Sequence, residues 1–296
     1  MKALEARNRE LDVDLKVALP LLAIGAAAGA LYAPIVVGVI RQWYQDPVSS
    51  HGILLTAAAI FVTRRRWPSL RALPLRPHNF GFVAIGAALI VYTLGTLLGD
   101  IFIIRLSLPI ALAGCVLALA GAPQLRAAGA PLLLLLLAMP LPAVIVTRLT
   151  LPLQLIASRV AEMTLQTGGI DVVRAGNLLT LQTITLEVAE ACSGLNSAVS
   201  LIAVASVCGA VMSLSARRTL LLVACAIPIA VIGNGFRVAA TGFLATWLGP
   251  IAAKGILHEL TGFVAFVAMC AVLLAIQLLA RARVRRAVRQ PCPVEV

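Results

Sequence analysis

The sequence predicts an all-α polytopic membrane protein of about eight transmembrane helices, with a small extracytoplasmic amphipathic helix and a β-hairpin placed before the helix that begins at Cys192. Three observations carry that reading. The 296 residues are 61% hydrophobic, with a mean hydropathy of +1.01, against roughly 45–50% apolar content in soluble domains. Many apolar runs approach the roughly 20 residues a helix needs to cross a bilayer. Basic residues also collect in alternate connecting segments, as they do in cytoplasmic loops.

Taken in order, the spans fall at about 17–40, 48–63, 80–98, 101–120, 127–147, 192–212, 219–236 and 258–280. Residues 1–16 mix basic and acidic side chains, among them Lys2, Glu5, Arg7, Asp12 and Asp14. The apolar run that follows is too long for the core of a cleavable signal and lacks a clear small-residue cleavage site, so it is expected to stay as the first span. The second span is short and starts inside the polar stretch before it. With the N-terminus inside, segments 1–16, 64–79, 121–126, 213–218 and 281–296 are cytoplasmic and hold 17 of the 24 Lys and Arg residues. Arg64, Arg65 and Arg66 form one stop, and Arg281, Arg283, Arg285 and Arg286 another. Both termini are therefore expected on the cytoplasmic side. Segments 41–47, 99–100, 148–191 and 237–257 face outward. No internal repeat or low-complexity linker divides the chain, so 1–296 is expected to form one membrane domain with a basic tail at 281–296.

The outer segment 148–191 has two parts. From Leu149 to Thr167, the residues Leu153, Ile156, Ala157 and Val160 share one helical face, opposite Arg159 and Glu162. That pattern suits a helix lying in the membrane interface. From Ile170 to Val188 the period changes, with apolar residues scattered as in strands and Gly176-Asn177 as a turn.

The net charge of +12 is accounted for by orientation signal, so membrane lipids rather than nucleic acid are the expected surroundings. Intramembrane carboxylates of the kind that serve ion-coupled transport are absent. No phosphate-binding loop or serine nucleophile elbow occurs, and no short His or Cys spacing suggests a metal. No cofactor is expected.

Three polar residues stand out, each at one end of an apolar segment on the outer face: Cys192, Arg237 and His258. Cys115, Cys208, Cys225 and Cys270 lie within spans, and Cys292 lies in the tail; the four in spans read as small core hydrophobes. Cys192 instead stands in Glu190-Ala191-Cys192-Ser193-Gly194-Leu195-Asn196, where a polar loop enters a helix whose N-terminus would favour thiolate. It has no cysteine partner on its face. Arg237 reads equally as a snorkelling anchor when viewed alone. Asn234 one turn deeper, and the scarcity of arginine on this face, favour a polar site turned into the bundle. His258 opens the last span and titrates in the range useful to a general acid or base. Histidine is also the usual partner of an activated cysteine, and an arginine can stabilise an oxyanion.

At these residues the chain resembles the exosortase/archaeosortase family of membrane cysteine transpeptidases. Trp43 with Ser50-His51-Gly52 is similar to that family's early signature, Glu190 to Leu195 to its cysteine block, Asn234 with Phe236-Arg237-Val238 to its arginine block, and His258 to its histidine block. The resemblance implies catalytic Cys192, Arg237 and His258. Glu190, Ser193, Asn196, Asn234, His51 and Trp43 are the residues expected to support the site or bind substrate. It also implies exported protein substrates with a C-terminal sorting tail: a Pro-Glu-Pro-type motif, a transmembrane helix and a basic cluster. The implied location is a prokaryotic cytoplasmic membrane with the active site on the extracytoplasmic face. The run Met139-Pro140-Leu141-Pro142 and the 148–191 loop are expected to shape the cleft.

The competing reading is a non-enzymatic membrane component of surface polysaccharide or lipid assembly or transport. It explains the spans and the charge asymmetry equally well, but not three reactive residue types at one depth. A rhomboid-like hydrolase is a third possibility that lacks a supporting Ser-His pair.

Overall fold

The computed structural model describes residues 25–182, 184–249 and 255–289, with the side chains of Ala191 and of 283–289 outside that description. The chain is an all-α polytopic membrane protein. Its described helices are α1 (Gly25–Gln45), α2 (His51–Ala72), α3 (Phe80–Leu98), α4 (Ile101–Leu119), α5 (Ala122–Leu137), α6 (Ala143–Thr167), α7 (Leu195–Val211), α8 (Ala216–Leu248) and α9 (Gly255–Arg289). Between α6 and α7 lie strands β1 (Val172–Ala175), β2 (Leu178–Leu181) and β3 (Thr185–Glu187), then a 3₁₀ turn at Glu190–Cys192. By length and composition α1, α3, α4, α6, α8 and α9 could cross a membrane, while α5 and α7 are shorter apolar helices of 16 and 17 residues. The cytoplasmic segment expected at 1–16, the start of the first span to 24, residues 250–254 of the segment expected to face outward, and the tail from 290 lie outside the described residues.

Several expected boundaries are corrected. The second span begins at His51 and runs as helix through Arg64, Arg65 and Arg66 to Ala72. The arginines do not stop the helix; Arg65 and Arg66 reach sideways to the carbonyls of Val211 (3.0 Å) and Ala127 (3.3 Å). The fifth span does not continue to 147. It ends at Leu137, because Pro140 and Pro142 remove backbone donors from the following turn, and α6 starts after Pro142. The seventh span continues past Arg237 to Leu248, so 237–248 is helix and not loop. The charge at Arg237 marks no boundary, since Val238 to Leu248 is itself apolar. Likewise α9 continues through the first arginines of the basic tail.

The helix expected from Leu149 in the interface starts earlier, at Ala143, is itself long and apolar enough to cross a membrane, and its expected apolar face is split between buried and exposed positions. Thr150, Gln154, Ala157, Ser158, Ala161 and Leu165 are buried, whereas Ile156 is exposed. Small and polar residues point inward because they let helices approach closely, while large apolar ones can face lipid. Val160 packs on Gly235 and Leu165 on Gly242, where an added Cβ would lie 2.5 and 3.0 Å from their side chains. The expected hairpin is present and gains a third strand. The antiparallel order is β1-β2-β3, with Val172 opposite Leu181 and Leu179 opposite Leu186. Leu179, Leu181, Leu186 and Val188 turn inward onto α6 and Val238 to form one core, against which Cys192 packs.

Two further clusters hold the bundle. One joins α2, α5 and α7 through Leu55, Val62, Leu134 and Ala203; the other joins α7, α8 and α9 through Leu201, Ala226, Ala230 and Leu273. The helices α7 and α8 thus form the spine. The α3–α4 pair is a tight hairpin, with Gly81 against the Ala118 backbone and Gly95 against Ile104. Its turn uses Gly99 at φ +66, and the Asp100 carboxylate caps α4 by accepting from the amides of Phe102 (2.8 Å) and Ile103 (3.2 Å).

Candidate active site

Cys192, Arg237 and His258 come from three separate elements and converge. Cys192 is the last residue of the 3₁₀ turn, with its amide donating to the Ala189 carbonyl at 2.8 Å. Ser193 and Gly194 separate it from α7, so the thiol stands before the helix N-terminus and not in its first turn. Gly194 sits at φ +89, a conformation that favours glycine, and its Cα faces the Asn234 side chain. Arg237 lies in the middle of α8. His258 lies in the first turns of α9.

Cys192 Sγ is 3.4 Å from His258 Nε2, and Arg237 Nη2 is 3.2 Å from the same nitrogen. All three residues are half-buried, and Cys192 is a free thiol. A guanidinium carries only donors. With Nη2 aimed at it, Nε2 presents its lone pair, and the ring proton belongs on Nδ1. That nitrogen is buried with no hydrogen-bond partner among the described residues, and so is Arg237 Nε. The imidazole therefore offers an unprotonated Nε2 to the thiol, with a fixed positive charge alongside.

Asn234 supports this arrangement from below. It is fully buried, and its Nδ2 donates to the Cys192 carbonyl at 2.7 Å. Lying one turn before Arg237 on α8, it ties the cysteine backbone to the helix that carries the arginine. Ser193 is buried, and its Oγ accepts from the Leu195 amide at 3.3 Å, which holds the entry to α7. Glu190 is exposed at the start of the 3₁₀ turn, and Asn196 is half-buried in the first turn of α7.

His51 and Trp43 are built into a different place. His51 is buried, with Nδ1 2.8 Å from the Val48 carbonyl and Nε2 3.2 Å from that of Leu137. Trp43 Nε1 donates to the Ala138 carbonyl at 2.9 Å. Gly52 is required there, since a Cβ would lie 2.1 Å from Trp43 Nε1. The early Trp and Ser-His-Gly residues thus fasten the end of α5, just before Met139 to Pro142, and make none of the hydrogen bonds of the trio.

One contributor escaped the sequence reading. Gly262 is one turn after His258 on the same face of α9, and a Cβ there would stand 3.0 Å from Arg237 Nη2. The glycine leaves the slot through which the guanidinium reaches the imidazole. The His-x-x-x-Gly spacing, which puts both residues on one helix face, was the signal available.

A cavity of about 660 Å³ opens between α8 and α9, with Arg237 and Thr261 in its lining and Ile232, Phe236, Val264 and Ala268 among its apolar walls. A second cavity, also about 660 Å³, lies among α5, α7 and α8 beside Arg66 and Arg126 and includes none of the three residues.

A family model described as a transmembrane exosortase matches residues 43–275, well over half of the chain. No curated protein and no solved structure matches. The matched region runs from Trp43 past Cys192, Arg237 and His258, and the chain belongs to the transmembrane exosortase family.

Proposed function

We propose that this member of the transmembrane exosortase family is a membrane-embedded cysteine transpeptidase or protease. It cleaves C-terminal sorting signals of exported proteins, each a Pro-Glu-Pro-type motif followed by a transmembrane helix and a basic tail. The reading places it in a prokaryotic cytoplasmic membrane, both termini inside and the trio on the outer face. The observation that carries the reading is the meeting of Cys192 Sγ and Arg237 Nη2 at His258 Nε2, 3.4 and 3.2 Å from it.

The chemistry follows from the donors and acceptors. His258 Nε2 takes the thiol proton, and Cys192 Sγ attacks the carbonyl carbon of the scissile peptide bond. The carbonyl oxygen becomes an oxyanion. Once Nε2 is protonated it repels the guanidinium, and Arg237 is free to donate to that oxyanion. Collapse breaks the C–N bond. The imidazolium returns its proton to the leaving amine, which departs as the new N-terminus of the tail. A thioester links the exported protein to Cys192. An acceptor amine, deprotonated by His258, then attacks the thioester and expels the thiolate; water in its place gives hydrolysis. Asn234 keeps the cysteine carbonyl fixed through these steps.

The test is Cys192→Ala in cells that produce a tailed passenger protein. The expected outcome is a passenger that keeps its tail while the variant accumulates to the normal level in the membrane. Processing at the normal rate in that variant would exclude the mechanism.

A further inference from the structure

We infer that the seam between α8 and α9 is the groove that receives the transmembrane helix of the substrate tail, with the C-terminus of that helix at the Arg218 end; this rests on the function proposed above. The cavity beside Arg237 is not the sole opening between the described parts of α8 and α9. A second cavity of about 250 Å³ continues between the same two helices, lined by Leu222, Cys225, Ile276, Gln277 and Arg218 among others. On α8 the lining runs Phe236, Ile232, Ile229, Cys225, Leu222, and on α9 Ala268, Val272, Ile276, Ala280. Steps of three or four residues keep one face of each helix, so the two cavities form a single seam.

Three features select a helix as its occupant. From Arg218 to Arg237 the rise is about 28 Å at 1.5 Å per residue, close to the roughly 30 Å of a hydrocarbon core. Gly233, Ala240, Thr261, Ala265 and Ala268 along the walls are the small residues that let helix backbones approach in a membrane. Both ends carry arginine, and only the upper one adjoins the trio. At the lower end Arg218 is exposed, and Gln277 is buried with its Nε2 lacking a partner among the described residues. Both are donors, suited to the unsatisfied carbonyls at a helix C-terminus. At the upper end Arg237 belongs to both the groove and the trio. A helix docked C-terminus inward therefore delivers the residues before its N-terminus to Cys192.

A photo-crosslinking amino acid at Ile232 or Ala268, in full-length Cys192→Ala protein, tests this. The probe is a passenger carrying a Pro-Glu-Pro motif, an apolar helix of roughly 20 residues and a basic end. Leu133, in the wall of the other large cavity, is the control. Adducts with the tail from both α8 and α9 positions, and none from Leu133, are expected. Adducts from Leu133 alone, equal adducts from all positions, lipid adducts only, or no adduct at all would overturn the groove assignment. Wild-type processing of the same passenger, measured in parallel, separates the two ideas: if the tail is removed but the seam never crosslinks to it, the groove is wrong while the transpeptidase reading stands.

Discussion

Two histidines of this molecule, His51 and His258, sit in opposite kinds of environment. His51 has a backbone carbonyl against each ring nitrogen, those of Val48 and Leu137 at 2.8 and 3.2 Å. His258 has Nε2 between a thiol and a guanidinium, and Nδ1 with no partner among the described residues. A ring gripped at both nitrogens by the main chain is a strut. A ring whose reactive nitrogen faces a thiol, with its charge balance set by an arginine, can move a proton. Residue type alone does not separate these roles; the partners do.

Exchanging the two environments by mutation sharpens the contrast. His258→Gln keeps a polar side chain but removes the base, and tail removal is expected to fall by about 10²–10⁴-fold, the usual worth of a positioned acid–base group. The rate of passenger processing per molecule of membrane-inserted enzyme is the readout. Arg237→Met follows, with a loss of about 10²–10³-fold if the guanidinium serves the oxyanion. Arg237→Lys should recover only part of that rate, because a lysine lacks the planar fork that spans Gly262.

Asn234→Leu tests the link between the trio and its frame. It strands the Cys192 carbonyl, a loss of about 1–3 kcal/mol for a buried unsatisfied group. Slower alkylation of Cys192 by iodoacetamide in folded protein is expected, an effect that a purely distant stabilising role would not produce. His51→Phe should have the smallest catalytic effect. It removes both carbonyl contacts and lowers the thermal midpoint, yet the folded fraction should still process substrate at a rate near wild type. A processing defect as large as that of His258→Gln, in protein with an unchanged midpoint, would erase the distinction between the two rings.

Much of this was legible in the sequence, and the rest failed for identifiable reasons. Hydropathy located α3 and α4 almost to the residue, because Gly99-Asp100 is a turn that local chemistry dictates. The period change after Thr167 located the strands and the Gly176-Asn177 turn. Charge was a poor guide to helix ends: α2 runs through Arg64 to Arg66 and α8 through Arg237, since arginine favours helix and its long side chain reaches carbonyls or partners sideways. Ile156 and Ala157 were read as one apolar face of an interfacial helix, but packing separates them: the small Ala157 and Ala161 are buried and Ile156 is exposed. Cys192, Arg237 and His258 were singled out by residue type and local motif, but the count of crossings put Arg237 at a span end, whereas it lies within α8 and meets the other two through helix packing. The roles of Asn234 as a tether to the Cys192 carbonyl and of Gly262 as a slot depend on packing between α7, α8 and α9, which no local pattern states.

The most direct test of the central claim is the mass of the Cys192 peptide from wild-type enzyme quenched in acid while it processes a tailed passenger. The expected result is Cys192 acylated by the new C-terminal carbonyl of the passenger, a thioester released by hydroxylamine and absent from His258→Gln protein. Turnover with Cys192 always unmodified, or a hydroxylamine-sensitive adduct on another residue, would contradict the account.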